Sequence, residues 1–187
     1  MQILIDLVRA LKGLSRLLRF DPGYRDYFDT TVQGTWRSFF AMMLVAPTVA
    51  MTLPDDPSKI YPNATQFELL AVPVLLYVIG WFAIPLVVLE LGRWFKRDEV
   101  MPSYITVYNW FQLINLPLVA AMWLAIGSEA IHGLLGLLSL AVYLTYLFYI
   151  ARSFLRVEIY VAAIFVAADF AISLVLELTE TMLLVHS

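Results

Sequence analysis

Cysteine is absent from the 187 residues, which removes disulfide frameworks, thiolate zinc sites, iron–sulfur clusters and cysteine nucleophiles together. Histidine is almost as scarce. Only His132 and His186 occur, and no His-x-x-x-His or Glu-x-x-His spacing joins either to a second ligand, so no metal or other cofactor is expected. A glycine-rich phosphate loop, a serine nucleophile elbow and a paired-carboxylate motif are also missing, so the chain is not read as an enzyme. Charge is thin as well: 14% of residues are charged, well below the ~25% of ordinary soluble domains. The net charge of -3 gives no sign of a nucleic-acid partner.

What fills the chain instead is apolar, 61% of it, more than a soluble fold of this size hides. Five runs come near the ~20 residues that a helix rising 1.5 Å per residue needs to cross ~30 Å of hydrocarbon. They cover residues 36–53, 67–91, 104–126, 131–150 and 159–176. The second contains Pro73, Gly80 and Pro85, and Pro47 and Pro117 fall in the first and third, so bends are expected there. The spacing therefore predicts an all-α, polytopic membrane protein. Residues 1–35 form a cytoplasmic juxtamembrane segment and residues 36–187 a five-helix transmembrane bundle.

Orientation follows from Lys and Arg, which cytoplasmic loops retain. Arg9, Lys12, Arg16, Arg19, Arg25, Arg37, Arg93, Lys96, Arg97, Arg152 and Arg156 lie on one side of the five spans, and only Lys59 on the other. This bias alternates at every loop. It puts the N-terminus in the cytoplasm and the C-terminus outside, in a membrane read as the bacterial inner one. Trp36, Trp94, Tyr104 and Tyr160 mark the inner boundary and Tyr61, Phe67 and Trp123 the outer one, where amphipathic rings settle. The outer loop, with Pro54, Asp55, Asp56, Pro57, Pro62 and Asn63, reads as irregular and mildly acidic. Its Asn63-Ala64-Thr65 sequon is short enough to arise by chance.

Before the first span, Ile3, Leu4, Leu7, Val8, Leu11, Leu14, Leu17 and Leu18 repeat at helical spacing, and Asp6, Arg9, Lys12, Arg16 and Arg19 fall off that stripe. Recurring cations distinguish the segment from a signal peptide. Two placements stay open: an amphipathic helix in the inner interface with anionic headgroups as its partners, or a helix packed on the protein's own cytoplasmic face. Asp21-Pro22-Gly23 stops this helix, and Asp29 or Thr30 is positioned to cap the next.

Polar residues inside the spans are few. Asp169 falls near the middle of the fifth, where a carboxyl is costly and no Lys or Arg within a span is available to pair with it, so it is expected to be protonated or strongly hydrogen-bonded. Asn109, Gln112 and Asn115 recur every third residue in the third span. Asn115 is the preferred partner of Asp169, directly or through water, with Tyr143 or Tyr146 as competitors. These four groups are the candidate intramembrane polar site, read either as helix glue or as a proton or ligand path. Arg37, Glu90 and Arg93 form the candidate structural ion pair at the inner boundary. Glu177 and Glu180 make an acidic step at the outer surface. Gly133, Gly136 and the alanines at 162, 163, 167, 168 and 171 suit close helix packing within the bundle.

A cytoplasmic leading segment, five closely spaced spans and a short outer end resemble the Yip1-domain group of membrane proteins. The stretch Tyr104-Ile105-Thr106-Val107-Tyr108-Asn109-Trp110 through Pro117 is similar in character to the third span of that group. The eukaryotic members' Asp-Leu-Tyr-Gly-Pro segment has no counterpart here. The function expected is an integral membrane scaffold or accessory protein binding lipids, other membrane proteins or further copies of itself. The alternative is a small oligomeric transporter or channel, proton-coupled through Asp169.

Overall fold

In a computed structural model, residues 2–52, 57–124 and 129–186 are described, and they are helical nearly throughout. The end of the expected first span at Leu53, the Pro54, Asp55 and Asp56 part of the expected outer loop, and the side chain of His132 lie outside the described residues. Four helices are long and apolar enough to cross a membrane: Gln66–Trp94, Asp98–Leu124, Gly133–Leu155 and Ile159–His186. The chain is an integral membrane protein on that basis. Where the first span was expected over residues 36–53, the described residues 32–52 form three short helices in a row, α2 (Val32–Ser38), α3 (Phe40–Val45) and α4 (Pro47–Thr52). Their joints, Phe39 and Ala46, keep right-handed helical dihedrals.

The leading stripe folds as α1 (Gln2–Leu17). It ends in a Schellman turn, with Phe20 in the left-handed region at φ 54°, Phe20 N donating to Leu17 O and Asp21 N to Arg16 O. Asp21 then accepts from Gly23 N at 2.9 Å and starts a 3-10 turn, Pro22–Tyr27. The cap of α2 is Thr31, one residue beyond the expected Asp29 or Thr30. Its hydroxyl accepts from Gly34 N, while Asp29 holds Thr31 itself in place. After α5 (Pro57–Ile60), Thr65 and Glu68 close a capping box at the start of α6 (Gln66–Trp94), so the sequon threonine has a structural task.

Two hairpins form the centre of the bundle. The first joins α6 to α7 (Met101–Phe111), which continues through a 3-10 turn at Gln112–Ile114 into α8 (Asn115–Leu124). The second joins α9 (Glu129–Leu155) to α10 (Ile159–His186). Helix α6 packs on α7 and α10, and α9 packs on the same two, which closes a ring. The turns after α6 and after α9 share one pattern, Arg-x-Phe-x-Arg-x-Glu, over residues 93–99 and 152–158. Each ends its helix with a left-handed residue, Lys96 or Arg156. Arg97 donates to Arg156 O at 3.3 Å and ties the two turns together.

Helix α7 occupies the middle. Every residue from Met101 to Phe111 is buried except Pro102 and Ser103, because α1, α2, α6 and α9 all pack on it. The other long helices bury a stripe and leave Leu, Val, Ile and Phe exposed on the remaining face, as helices solvated by lipid do. Of the candidate small-residue contacts, Ala162 is fully buried, whereas Ala163, Ala167 and Ala171 are exposed. Packing within the described bundle therefore uses only part of that alanine series. Gly133 has nothing within 4 Å of an added Cβ.

Gly34 is different, because a Cβ there would stand 2.1 Å from the backbone oxygen of Asp29. Gly34→Ala is expected to destabilise the protein by about 1–3 kcal/mol, the usual cost of forcing atoms into filled space. Gly133→Ala should be neutral or stabilising by up to ~1 kcal/mol through helix propensity. Thermal unfolding in mild detergent measures both, and equal midpoints for the two variants would contradict the packing at Gly34.

Candidate functional site

The mid-span carboxyl is enclosed by tyrosines. Asp169, on α10, is 1% exposed. The Tyr108 hydroxyl of α7 donates to Oδ1 at 2.7 Å and the Tyr143 hydroxyl of α9 to Oδ2 at 2.9 Å. Gln112 donates through Nε2 to the Tyr143 hydroxyl at 3.5 Å, and Asn115 donates through Nδ2 to Gln112 Oε1 at 2.8 Å. The order is thus Asn115, Gln112, Tyr143, Asp169, with Tyr108 closing the other side.

This arrangement corrects the preferred pairing. Asn115 does not bond directly to Asp169 but connects to it through Gln112 and Tyr143. Helix axes stand ~8–10 Å apart, and a phenol crosses such a gap where the short arm of asparagine stops. The competitor Tyr143 is a partner of the carboxyl. Tyr146 is not, since its hydroxyl donates to Leu18 O at the end of α1. Tyr108 was outside the expected set, although its place one residue before Asn109 on a span rich in polar groups was a usable signal.

Asn109 belongs to a different cluster. It is wholly buried, donates through Nδ2 to Ser38 Oγ at 2.9 Å, and leaves its Oδ1 without a partner among the described residues. Beside it, Thr35 and Thr106 share a hydroxyl contact at 2.9 Å. These four side chains join α2 to α7, away from Asp169. The candidate polar site therefore divides into a three-helix network around Asp169 and a two-helix seam around Asn109.

The ion pairs regroup in the same way. Glu90 and Arg93 do pair, at 2.9 Å on an exposed surface. Arg37 turns away from them and bonds to Asp6 at 2.6 Å and Asp29 at 2.5 Å. Asp6 is buried because the face of α1 that meets the protein is Asp6, Ala10, Gly13, Leu14 and Leu17. One guanidinium so links α1, the turn after it and α2. The C-terminal end of α9 adds a second lock, where the Tyr24 hydroxyl bonds to Ser153 Oγ and Arg25 donates to Ser153 O.

Chemically, the network around Asp169 ties α7, α9 and α10 together through side-chain hydrogen bonds. A hydroxyl can accept one proton and release another, but an amide nitrogen only donates and an amide oxygen only accepts. Gln112 and Asn115 therefore interrupt any proton wire leading outward from Tyr143. Among the described residues no three His, Asp or Glu converge in a way that holds a metal. Comparison with protein-family models, with curated proteins and with solved structures finds no match to this chain.

Two measurements follow. In a double-mutant cycle, Tyr143→Phe and Asp169→Leu should show a coupling of about 0.6 kcal/mol, reaching ~1.7 at most. Asn115→Leu and Asp169→Leu, which communicate only through Gln112 and Tyr143, should show a smaller coupling than the directly bonded pair. Equal coupling in both cycles, read from unfolding in detergent, would restore Asn115 as the direct partner. The second measurement concerns Asp29, whose carboxyl is held below its ordinary value by the hydrogen bond from Thr31 and then by Arg37. A carboxyl lowered on folding stabilises the fold fully above its unfolded value near ~3.9 and loses that stabilisation as pH falls through the folded value. Attachment of the 1–31 segment, followed by limited proteolysis, should therefore weaken only in acid, below about pH 4. Thr31→Val should flatten that dependence, and unaltered acid sensitivity in Thr31→Val would show that another group sets it.

Proposed function

We propose that the chain is an integral membrane scaffold or accessory protein with five spans, its N-terminus cytoplasmic and its C-terminus outside, that works by holding other membrane components. The fifth crossing is assigned to α2–α4, since residues 32–52, at 1.5 Å each, extend about 31 Å. Eleven of the twelve Lys and Arg residues on one side of these five spans support the orientation and a cytoplasmic membrane. A resemblance in outline to Yip1-domain proteins agrees with an accessory role.

Helix α1 fits this reading as an interfacial collar. At about 100° per residue, its circumference divides into three strips. One holds Asp6, Ala10, Leu14 and Leu17 against the bundle. The next carries the exposed Leu4, Val8, Leu11 and Leu18, and the third carries Arg9, Lys12, Arg16 and Arg19. A helix lying along the inner boundary needs these three neighbours: protein, acyl chains and anionic headgroups. The two placements left open by the periodicity thus apply to different faces of the same helix.

The observation that carries the scaffold reading over transport is the closure of Asp169 by two tyrosine hydroxyls. An ionisable group on a transport path faces a cavity or a chain of titratable neighbours, and this one faces phenols backed by amides. Reconstituted in proteoliposomes, the protein should give no proton or cation flux above empty vesicles. After gentle extraction it should retain a defined protein or lipid companion, identified by mass spectrometry, in wild type and Asp169→Asn alike. Flux that Asp169→Asn abolishes would replace the scaffold with the transporter. For the topology, cysteines introduced at Ser128 and Ser187 should react with an impermeant thiol reagent on sealed cells and one at Ser103 should not. Labelling at Ser103 would reverse the orientation.

A further inference from the structure

A cleft of about 270 Å³ opens between α6 and α10 at the level of the 3-10 turn that follows α7. Pro73, Leu76, Ile84 and Leu176 form its apolar walls, and the rings of Tyr77 and Trp81, edge to face with centroids 6.1 Å apart, form one side. Gln112 and Ser173 supply hydrogen-bond donors at its polar end, next to Tyr108. Gly80 preserves the depth, since a Cβ there would stand 3.1 Å from Leu176 Cδ1.

The donors have capacity left. Gln112 commits one amide hydrogen to Tyr143, at a long 3.5 Å, and its second is unused among the described residues. Ser173 is exposed on α10, one turn beyond Asp169, and its hydroxyl makes no hydrogen bond among the described residues. Counted at 1.5 Å per residue, Leu76 lies about 15 Å along α6 and Gln112 about 16 Å beyond the start of α7, both near the middle of a ~30 Å core. Free donors in an apolar recess at that depth call for an acceptor that resides there.

Phospholipids do not provide one, because their ester and phosphate oxygens stay at the interface, about 15 Å away. A second helix, ~10–12 Å across with its side chains, is too wide. The volume falls just under the ~300–1,000 Å³ of sites that enclose a whole drug-sized ligand. It suits one ring with its tail left outside. Flat aromatic walls, two donors and a lateral opening at mid-membrane depth together match a neutral ring that carries carbonyl oxygens and a long apolar tail.

We propose that the cleft between α6 and α10 binds an isoprenoid-type quinone, its ring against Tyr77 and Trp81, a carbonyl accepting from Gln112 and Ser173, and its tail passing out along Leu176 into the lipid. Binding alone is assigned to the site, and no electron transfer. The assignment does not rest on the scaffold reading, and the flux and companion assays do not enter its test.

The test uses the full chain in phosphatidylcholine nanodiscs, with a decyl-tailed benzoquinone as probe and the same ring and tail without carbonyls as control. Quenching of tryptophan fluorescence, corrected with empty nanodiscs, reads binding, and extraction followed by absorbance reads stoichiometry. Expected are saturation at one quinone per chain, no displacement by the carbonyl-free control, and affinity about tenfold weaker in Gln112→Leu. Gly80→Leu, which fills the recess, should abolish saturable binding while leaving the helical circular dichroism unchanged. If Gly80→Leu does not fold, Ser173→Leu closes the same recess from its exposed side and should give the same loss. Quinone uptake that only partitions without saturating, displacement by the carbonyl-free control, or wild-type affinity in a folded recess-filling variant would each overturn the proposal.

Discussion

A carboxyl in the hydrocarbon core has no water to meet its hydrogen-bonding demand, so the protein must bring donors to it from other helices. Asp169 imposes that requirement on α10, and Tyr108 and Tyr143 meet it from α7 and α9. Two donors from two directions fix the rotation of all three helices about their axes. Apolar contacts alone would not, because Leu and Val on neighbouring membrane helices pack comparably with each other and with acyl chains. The burial of α7 on all sides is the structural counterpart of this demand: a helix that serves α10 on one face and α2 on another has no face left for lipid.

The leading segment is held by a different kind of interaction at the edge of the membrane. Arg37 draws Asp6 and Asp29 together, so the start of α1 and the start of α2 cannot separate without leaving a half-buried guanidinium short of partners. At the other end of α1, Phe20 stacks on Tyr146 with ring centroids 5.0 Å apart, and the hydroxyls of Tyr146 and Tyr149 cap the free carbonyls of Leu18 and Phe20. Left-handed backbone at a phenylalanine costs ~1–2 kcal/mol. Here that conformation turns the ring onto α9 and the carbonyls toward donors that water would otherwise supply. Within the cationic strip of α1, Arg9 donates to Asp26 O and Arg16 pairs with Asp21.

How far the residues announced this structure depends on the kind of signal. Hydropathy located the four long helices, since a run of twenty apolar residues has few other uses, and the 3.6-residue period located α1. That Asp169 would be strongly hydrogen-bonded was legible from its place in an apolar run. Its partners were less so, because a sequence gives depth along a helix but not rotation about it, and the 3-10 turn at Gln112–Ile114 changes rotation just where Asn115 begins. Arg37 shows the same limit. Glu90, Asp6 and Asp29 all stood at its level, and only the seating of α1 by Ala10, Leu14 and Leu17 decides among them. The periodicity placed Asp6 off the apolar stripe, so its burial beside Ala10, Leu14 and Leu17 was not marked in the sequence.

The two polar clusters also differ in how completely they are satisfied. Around Asp169 both carboxyl oxygens have donors. Around Asn109 one amide oxygen is buried and unpartnered, and exchanging the amide's oxygen and nitrogen would not help, because the oxygen would then face Ser38 Oγ, whose one hydrogen already goes to Thr35 O, and the nitrogen would lose its acceptor. An unmet buried acceptor costs ~1–3 kcal/mol. The seam between α2 and α7 therefore carries a polar deficit that the joint between α7 and α10 lacks, even though both run through the same central helix. Loosening of the bundle should start where α2–α4 meets α7, the segment whose helix is already divided at Phe39 and Ala46, and leave the ring of α6, α7, α9 and α10 intact. Division and deficit thus coincide on the segment built from short helices, while the continuous helices hold the fully bonded carboxyl.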